Sequence, residues 1–129
     1  MRVFIVDDSK VIVERVVELL RDVTGVLVVG RAGDVTEAIE GIGRTKADAI
    51  ILDLQLERGS GLDVLRAIRK THPRMYVVIC TNYPYPQYRE ECLSAGANHF
   101  LDKSIEFEKI PGIFRDLIEN GAKPAPANR

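Results

Sequence analysis

Two acids stand side by side at Asp7 and Asp8, directly after the apolar run VFIV (3–6). Adjacent carboxylates repel one another, and placing them at the end of a buried element makes it costlier to keep both ionised. A bound divalent cation would offset that cost. Other polar residues have the same setting: Asp53 after AIIL (49–52), Thr81 after YVVIC (76–80), and Asp102-Lys103 after HFL (99–101). The carboxylates of Asp7, Asp8 and Asp53 make a hard oxygen donor set that suits Mg²⁺, with Mn²⁺ as an alternative. The loop after the first run has no glycine-rich cradle, so backbone amides alone would not hold a phosphate there. A phosphoryl group would depend on the metal and on Lys103. The set suits phosphoryl transfer to a carboxylate, with Asp53 attacking phosphorus, Lys103 stabilising the equatorial oxygens and Thr81 hydrogen-bonding the attached group. Singly, each residue has a plainer reading as a cap, a turn residue or a solvated charge. Their joint occurrence at four strand ends favours a site.

The elements that would bring these residues together are legible in the apolar pattern. VFIV (3–6), VLVV (26–29), AIIL (49–52), YVVIC (76–80) and HFL (99–101) are short and rich in β-branched residues. The first four are apolar throughout, as strands buried on both faces of a parallel sheet are. Amphipathic stretches alternate with them. Polar residues recur at helical spacing over 10–22, and Val35, Ala38, Ile39 and Ile42 fall at i, i+3, i+4 and i+7, with Asp34 and Glu37 resembling a capping box. Leu62, Leu65 and Ile68 mark a third helix, 86–95 a fourth and less regular one. Ile110, Ile113, Phe114, Leu117 and Ile118 mark a fifth, which tolerates Pro111 only in its first turn. The result is (βα)₅: an open parallel sheet with helices on both faces and ligands beyond the carboxyl ends of the strands.

Composition sets outer bounds. The 129 residues suit one domain, 46% hydrophobic and 29% charged. A net charge of −1 gives no electrostatic reason to expect direct nucleic-acid binding. Cys80 and Cys92 have no zinc-type spacing, and Cys80 reads as a buried inert thiol in a reducing cytoplasm. MRVFIVDD lacks the features of a signal peptide, and no apolar run approaches the length of a membrane span. The stretch 121–129, GAKPAPANR, reads as a disordered tail or a cut linker after a domain over 1–120.

The motifs VDDS (6–9), LDLQL around Asp53, GLDVL (61–65), Thr81 and GANHFLDKS (96–104) together resemble the receiver domain of two-component response regulators. The resemblance covers about residues 1–120. It implies a flavodoxin-like three-layer α/β sandwich with strand order 2-1-3-4-5. It implies that Asp53 is the phosphoacceptor, that Asp8 binds Mg²⁺ directly and Asp7 through water, and that Gln55 contributes its backbone carbonyl. Thr81 and Phe100 match the family's switch residues and Lys103 its phosphate-binding lysine; no other cofactor is implied. The donor would be a sensor histidine kinase or a phosphotransfer protein. The output would be a downstream protein partner or a homodimer, engaged through the fourth helix, fifth strand and fifth helix. Such a chain is a signalling switch that catalyses its own phosphorylation and dephosphorylation, not a metabolic enzyme.

Several positions depart from the family pattern. Ser104 follows Lys103 where the family has a proline with a cis bond. Either a cis bond is tolerated at a cost of about 2.5–4 kcal/mol, or the loop is trans and the lysine is placed differently. Asn82 replaces a small residue and would crowd the phosphate, and Glu57 replaces a common proline. The run NYPYPQY (82–88), stiffened by Pro84 and Pro86, is either a partner surface presenting Tyr83, Tyr85 and Tyr88 or a rigid, partly packed loop. Tyr83 is expected to limit water access to the phosphoryl group. His72 and His99 are unconvincing as phosphodonors.

With no effector domain after residue 120, a stand-alone regulator is expected. The alternative is a receiver fragment of a helix-turn-helix transcription factor, since GVLVVGRAGDVTEAI (25–39) resembles receivers of the nitrate-response type. A different class is a receiver-like interaction module that is never phosphorylated, as Ser104 and Asn82 would allow. A Mg²⁺-dependent phosphatase ranks lower, because its acids would be spaced as DxD.

Overall fold

The computed structural model describes residues 1–121. Its elements are β1 (Arg2–Val6), α1 (Lys10–Arg21), β2 (Leu27–Ala32), α2 (Val35–Thr45), β3 (Ala49–Leu52), α3 (Gly61–Thr71), β4 (Tyr76–Thr81), α4 (Pro86–Ser94), β5 (His99–Asp102), a 3-10 turn (Phe107–Lys109) and α5 (Ile110–Asn120). All strand pairs are parallel, in the order β2-β1-β3-β4-β5. This is the three-layer arrangement expected. The tail expected over 121–129 lies, beyond Gly121, outside the described residues.

The central strands are apolar at every position because successive side chains feed two cores. Val3 and Ile5, Ala49 and Ile51, Val78 and Cys80, and Leu101 point to the layer of α1 and α5, where they meet Val13, Val16, Leu20, Ile110, Phe114 and Leu117. Phe4 and Val6, Ile50 and Leu52, Val77 and Ile79, and Phe100 point to the layer of α2, α3 and α4.

β2 corrects the sequence reading. It begins at Leu27 and runs on through Gly30, Arg31 and Ala32, and only Ala32 is buried. Leu27 is 58% exposed. As an edge strand it has one neighbour, and its pairing with β1 shifts register between Val3 and Phe4. Gly30 lies under the Phe4 ring, where a Cβ would come within 2.7 Å of a ring carbon. The apolar run VLVV therefore marked the start of the strand but not its extent.

Helix starts follow local chemistry. Ser9 caps α1 by accepting from Ile12 N, and Asp34 caps α2 by accepting from Glu37 N at 2.9 Å, which is half of the anticipated capping box. Pro111 lies in the first turn of α5, as its fixed φ requires. α4 is the exception. It has no side-chain cap and buries only Cys92. Gly61, at the start of α3, donates to Leu54 O, and a Cβ there would be driven into the Asp53 carbonyl oxygen. Only glycine lets α3 begin so close to the end of β3.

Cys80 and Cys92 sit in opposite cores, 3% and 1% exposed. Burial pushes the Cys80 thiol up to about 12, against a smaller opposing pull from Lys103, and the Cys92 thiol up to about 11. A thiol with a raised folded-state pKa contributes stability that is complete below its unfolded value and lost as pH rises towards the folded one. The thermal midpoint should therefore fall from about pH 9 upward, since unfolded thiols ionise near ~8.5. At pH 8 iodoacetamide should leave both thiols intact in the folded protein and modify both in denaturant. Prompt labelling of either one in the native state would contradict this packing.

Candidate functional site

The register of the sheet assembles the site. Val6 pairs with Leu52, so Asp7 and Asp53 emerge together from neighbouring strands. Leu52 pairs with Ile79 and Thr81 pairs with Asp102, which puts Thr81 and Lys103 on the same carboxyl edge. The ladder continues into the loops: Asp53 N donates to Val6 O at 2.9 Å and Lys103 N donates to Thr81 O at 2.8 Å.

Asp7, Asp53, Thr81 and Lys103 are all buried, and Asp8 is exposed. Asp7 is oriented from two sides. Its Oδ1 accepts from Ser9 N at 2.8 Å and its Oδ2 accepts from Lys103 Nζ at 2.8 Å. The same ammonium lies 3.2 Å from Asp53 Oδ2. Asp53 Oδ1 receives a long bond, 3.4 Å, from Gln55 N. Gln55 is itself fixed by a bridge to Ser60. Thr81 Oγ1 accepts from Tyr83 N at 3.0 Å, which leaves its hydroxyl hydrogen available to donate.

Carboxylate oxygens of Asp7, Asp8 and Asp53 lie within 4.8 Å of one another. Three carboxylates against one ammonium leave two negative charges, which a divalent cation would balance. The donors are hard oxygens only, and the residues fit Mg²⁺ on that chemistry. Burial raises the Asp53 carboxyl above its usual range; Asp7 adds to the rise and Lys103 opposes it. Burial also works against the Lys103 ammonium, but the hydrogen bond to Asp7 and the charges of Asp53 and Asp7 outweigh it and raise its pKa. The lysine is held charged, and the aspartate is held where its charge is poorly solvated.

Phe100 is 5% exposed and packed inward among the α3 and α4 residues. The Arg89 guanidinium lies 6.0 Å from its ring and donates to Phe100 O at 3.2 Å. The Lys103–Ser104 bond is trans, and the lysine still reaches both aspartates. Of the residues outside the site proper, Tyr83, Tyr85 and Tyr88 are 42%, 52% and 37% exposed, with ring centroids 6.4 Å and 5.9 Å apart in sequence order. His99 Nε2 is 2.7 Å from Tyr76 OH, and His72 Nδ1 is 2.8 Å from Thr71 Oγ1, so both histidines have structural partners. Sequence reasoning missed Ser9, whose backbone aims Asp7 while its hydroxyl caps α1. A serine directly before a helical pattern was the available signal. It also missed Arg89, which had none.

A family model for the response regulator receiver domain matches residues 3–115. The DNA-binding transcriptional activator DevR/DosR of Mycobacterium tuberculosis is 30% identical over 131 residues, covering 97% of this chain and 60% of that protein. The response regulator domain of Thermotoga maritima CheB has the same fold, with a TM-score of 0.81 and 25% identity over 98% of both chains. The signal receiver domain of the response regulator NarL from Mycobacterium tuberculosis matches with a TM-score of 0.77 and 29% identity, covering 88% of this chain and 92% of that one. The chain spans 22–60% of the length of the first three curated relatives.

The raised Asp53 carboxyl has a sign that can be tested. A carboxyl with a raised folded-state pKa leaves stability intact below its unfolded value, near ~3.9, and subtracts from it as pH rises through the folded value. Without metal at pH 7, Asp53→Asn should therefore raise the thermal midpoint. Mg²⁺ should stabilise the wild type by about 2.7 kcal/mol at a hundredfold excess over its Kd, and Asp53→Asn by far less. Differential scanning calorimetry with and without Mg²⁺ reads both effects. A lower midpoint for the metal-free variant would refute the electrostatic account.

Proposed function

Because the chain belongs to the response regulator receiver domain family, we propose that Asp53 accepts a phosphoryl group from the phosphohistidine of a sensor histidine kinase or phosphotransfer protein. The observation that carries this reading is the placement of Asp53 Oδ2 at 3.2 Å from a buried ammonium, within a cluster of three carboxylates. An Asp53 oxygen attacks phosphorus, and the phosphorus–nitrogen bond of the donor breaks. The electron pair stays on the imidazole nitrogen, which takes up a proton, and Asp53 becomes an acyl phosphate. Asp7, Asp8, Asp53 and the Gln55 carbonyl are the residues that would hold Mg²⁺. When bound, it would neutralise charge on the transferring oxygens. Lys103 stabilises the same oxygens with its ammonium, and Thr81 donates its hydroxyl hydrogen to one of them.

Relatives of this type work in two-component phosphorelay signalling, and we read the chain as a switch there and not as a metabolic enzyme. The phosphoryl group biases an equilibrium at Thr81 and Phe100. The readout is the face of α4, β5 and α5, taken by a protein partner or a second copy. The light anchoring of α4 through Cys92 supports this choice of moving part. Two buried unpaired thiols suit a reducing compartment, the cytoplasm. A second reading is favoured by the relative described as a DNA-binding transcriptional activator, of which this chain spans 60%. There the same switch governs a DNA-binding output elsewhere in a longer protein.

Incubation with Mg²⁺ and acetyl phosphate should add one phosphoryl group by intact mass. Asp53→Ala and omission of Mg²⁺ should each abolish the addition. A silent result with both acetyl phosphate and a phosphorylated kinase, together with no Mg²⁺ binding, would leave an unphosphorylated interaction module. If Tyr83 screens the acyl phosphate from water, Tyr83→Ala should shorten the phosphoryl half-life severalfold; an unchanged half-life assigns the tyrosine to the loop surface alone.

A further inference from the structure

Lys103 reaches the site from a loop that lacks the family's proline. Its backbone path is nevertheless closely determined. Lys103 N is tied to β4 through Thr81 O at 2.8 Å. The residue before it is held at three points. Asp102 Oδ1 accepts from Ser104 N at 2.9 Å and from Ser104 Oγ at 2.6 Å. Asp102 N donates to Glu106 Oε1 at 2.9 Å. Asp102 O accepts from Glu106 N at 2.8 Å and from Ile105 N at 3.2 Å. Glu106 is fixed in turn by Lys109 Nζ, 2.7 Å from its second carboxylate oxygen. Asp102 and Glu106 thus bind each other reciprocally around the trans Lys103–Ser104 bond.

We propose that Asp102, Ser104 and Glu106 form a clasp that positions Lys103 for the phosphoryl group, in place of the stiffness a following proline would supply. They are positioning residues, since none of them touches the reacting atoms. The inference rests on the reading of Lys103 as the phosphoryl-binding ammonium. The geometry supports it in two ways. First, a lysine has a long flexible stem, and holding its ammonium 2.8 Å from Asp7 and 3.2 Å from Asp53 requires a fixed origin for that stem. Second, the clasp places a hydrogen-bonded acidic side chain on each side of the lysine, Asp102 before it and Glu106 after it. The Lys109 ammonium, and then the Asp102 amide, hold the Glu106 carboxyl below the usual carboxylate range, so it is a full anionic acceptor at neutral pH. Asp102 faces the loop and not the carboxylate cluster, where a further negative charge would compete for Lys103.

The test follows the lysine itself. Reductive methylation with formaldehyde and borane, read by peptide mass spectrometry, measures the exposure of each ammonium, with exposed Lys10, Lys46 and Lys70 as internal references. In the wild type Lys103 should react far more slowly than these. Asp102→Ala should raise its labelling rate and slow phosphorylation by acetyl phosphate, each on the order of tenfold, as loss of one or two hydrogen bonds implies. The references should not change. Asp102→Asn keeps an acceptor oxygen for Ser104 and should restore both rates. Should Asp102→Ala not fold, Ser104→Ala, at an exposed position, and Glu106→Ala remove the other members of the clasp. Slower phosphorylation with Lys103 still protected would overturn the clasp. Faster labelling with phosphorylation unchanged would uphold the clasp and instead remove Lys103 from the proposed reaction.

Discussion

One ammonium between two buried carboxylates organises this protein. Lys103 Nζ touches Asp7 and Asp53, and all three side chains are less than a tenth exposed. Burying such charges costs several kcal/mol per ion, and only close pairing offsets it. That pairing demands that β1, β3 and β5, which do not all touch one another, end at one level. The sheet meets the demand through uninterrupted apolar strands whose alternate residues lock into two separate cores. A slip of one residue would swap those cores and carry an aspartate inward. The hydrophobic layers thus fix the register, and the register fixes the charges.

The same arrangement explains why the site is receptive. Lys103 satisfies Asp7 and Asp53 only in part, and the Asp53 carboxyl remains raised by burial and by Asp7. Two negative charges stay unbalanced at the sheet edge. A divalent cation relieves that excess. On the proposed function, a phosphoryl group arriving at Asp53 would give Lys103 new oxygens to neutralise. The excess of buried carboxylates therefore carries an electrostatic cost that a bound cation would relieve, a cost that a protein selected for stability alone would have removed by replacing Asp53.

The convergence of Asp7, Asp8, Asp53, Thr81 and Lys103 was readable because it needs only strand ends and a parallel sheet. The five helices were readable from spacing, with Pro111 confirming the start of α5. β2 was misjudged in extent and burial because an edge strand pairs on one side only and accommodates Gly30 and Arg31, which break an apolar run. Gly61 appeared as part of a motif, but its reason, the carbonyl of Asp53 lying against it, is a tertiary distance that no local pattern encodes. The loop at Ser104 was the least readable part. A missing proline signalled an open question, and the answer lay in hydrogen bonds of Asp102, legible only as an acid at a strand end, and of Glu106, which no motif marked.

Asp53 is confined on one side and not on the other, and this gives any change at the site a direction. Its amide is bonded to Val6 O, its carbonyl abuts Gly61, and the following turn is closed by Gly61 N on Leu54 O and by the Gln55–Ser60 bridge. α3 begins there with Gly61, Val64, Leu65 and Ile68 all buried. That side has no slack, because close-packed cores respond to displacement as rigid bodies. Towards β4 the constraints thin out. The Thr81 backbone is paired with β5, but its hydroxyl accepts only from Tyr83 N, the loop beyond it is exposed, and α4 rests on Cys92 with an uncapped start. Segments with few buried contacts open at the lowest free energy. A charge added at Asp53 therefore meets rigidity at α3 and compliance at α4, and Phe100, held by Arg89 of α4, lies on the compliant side.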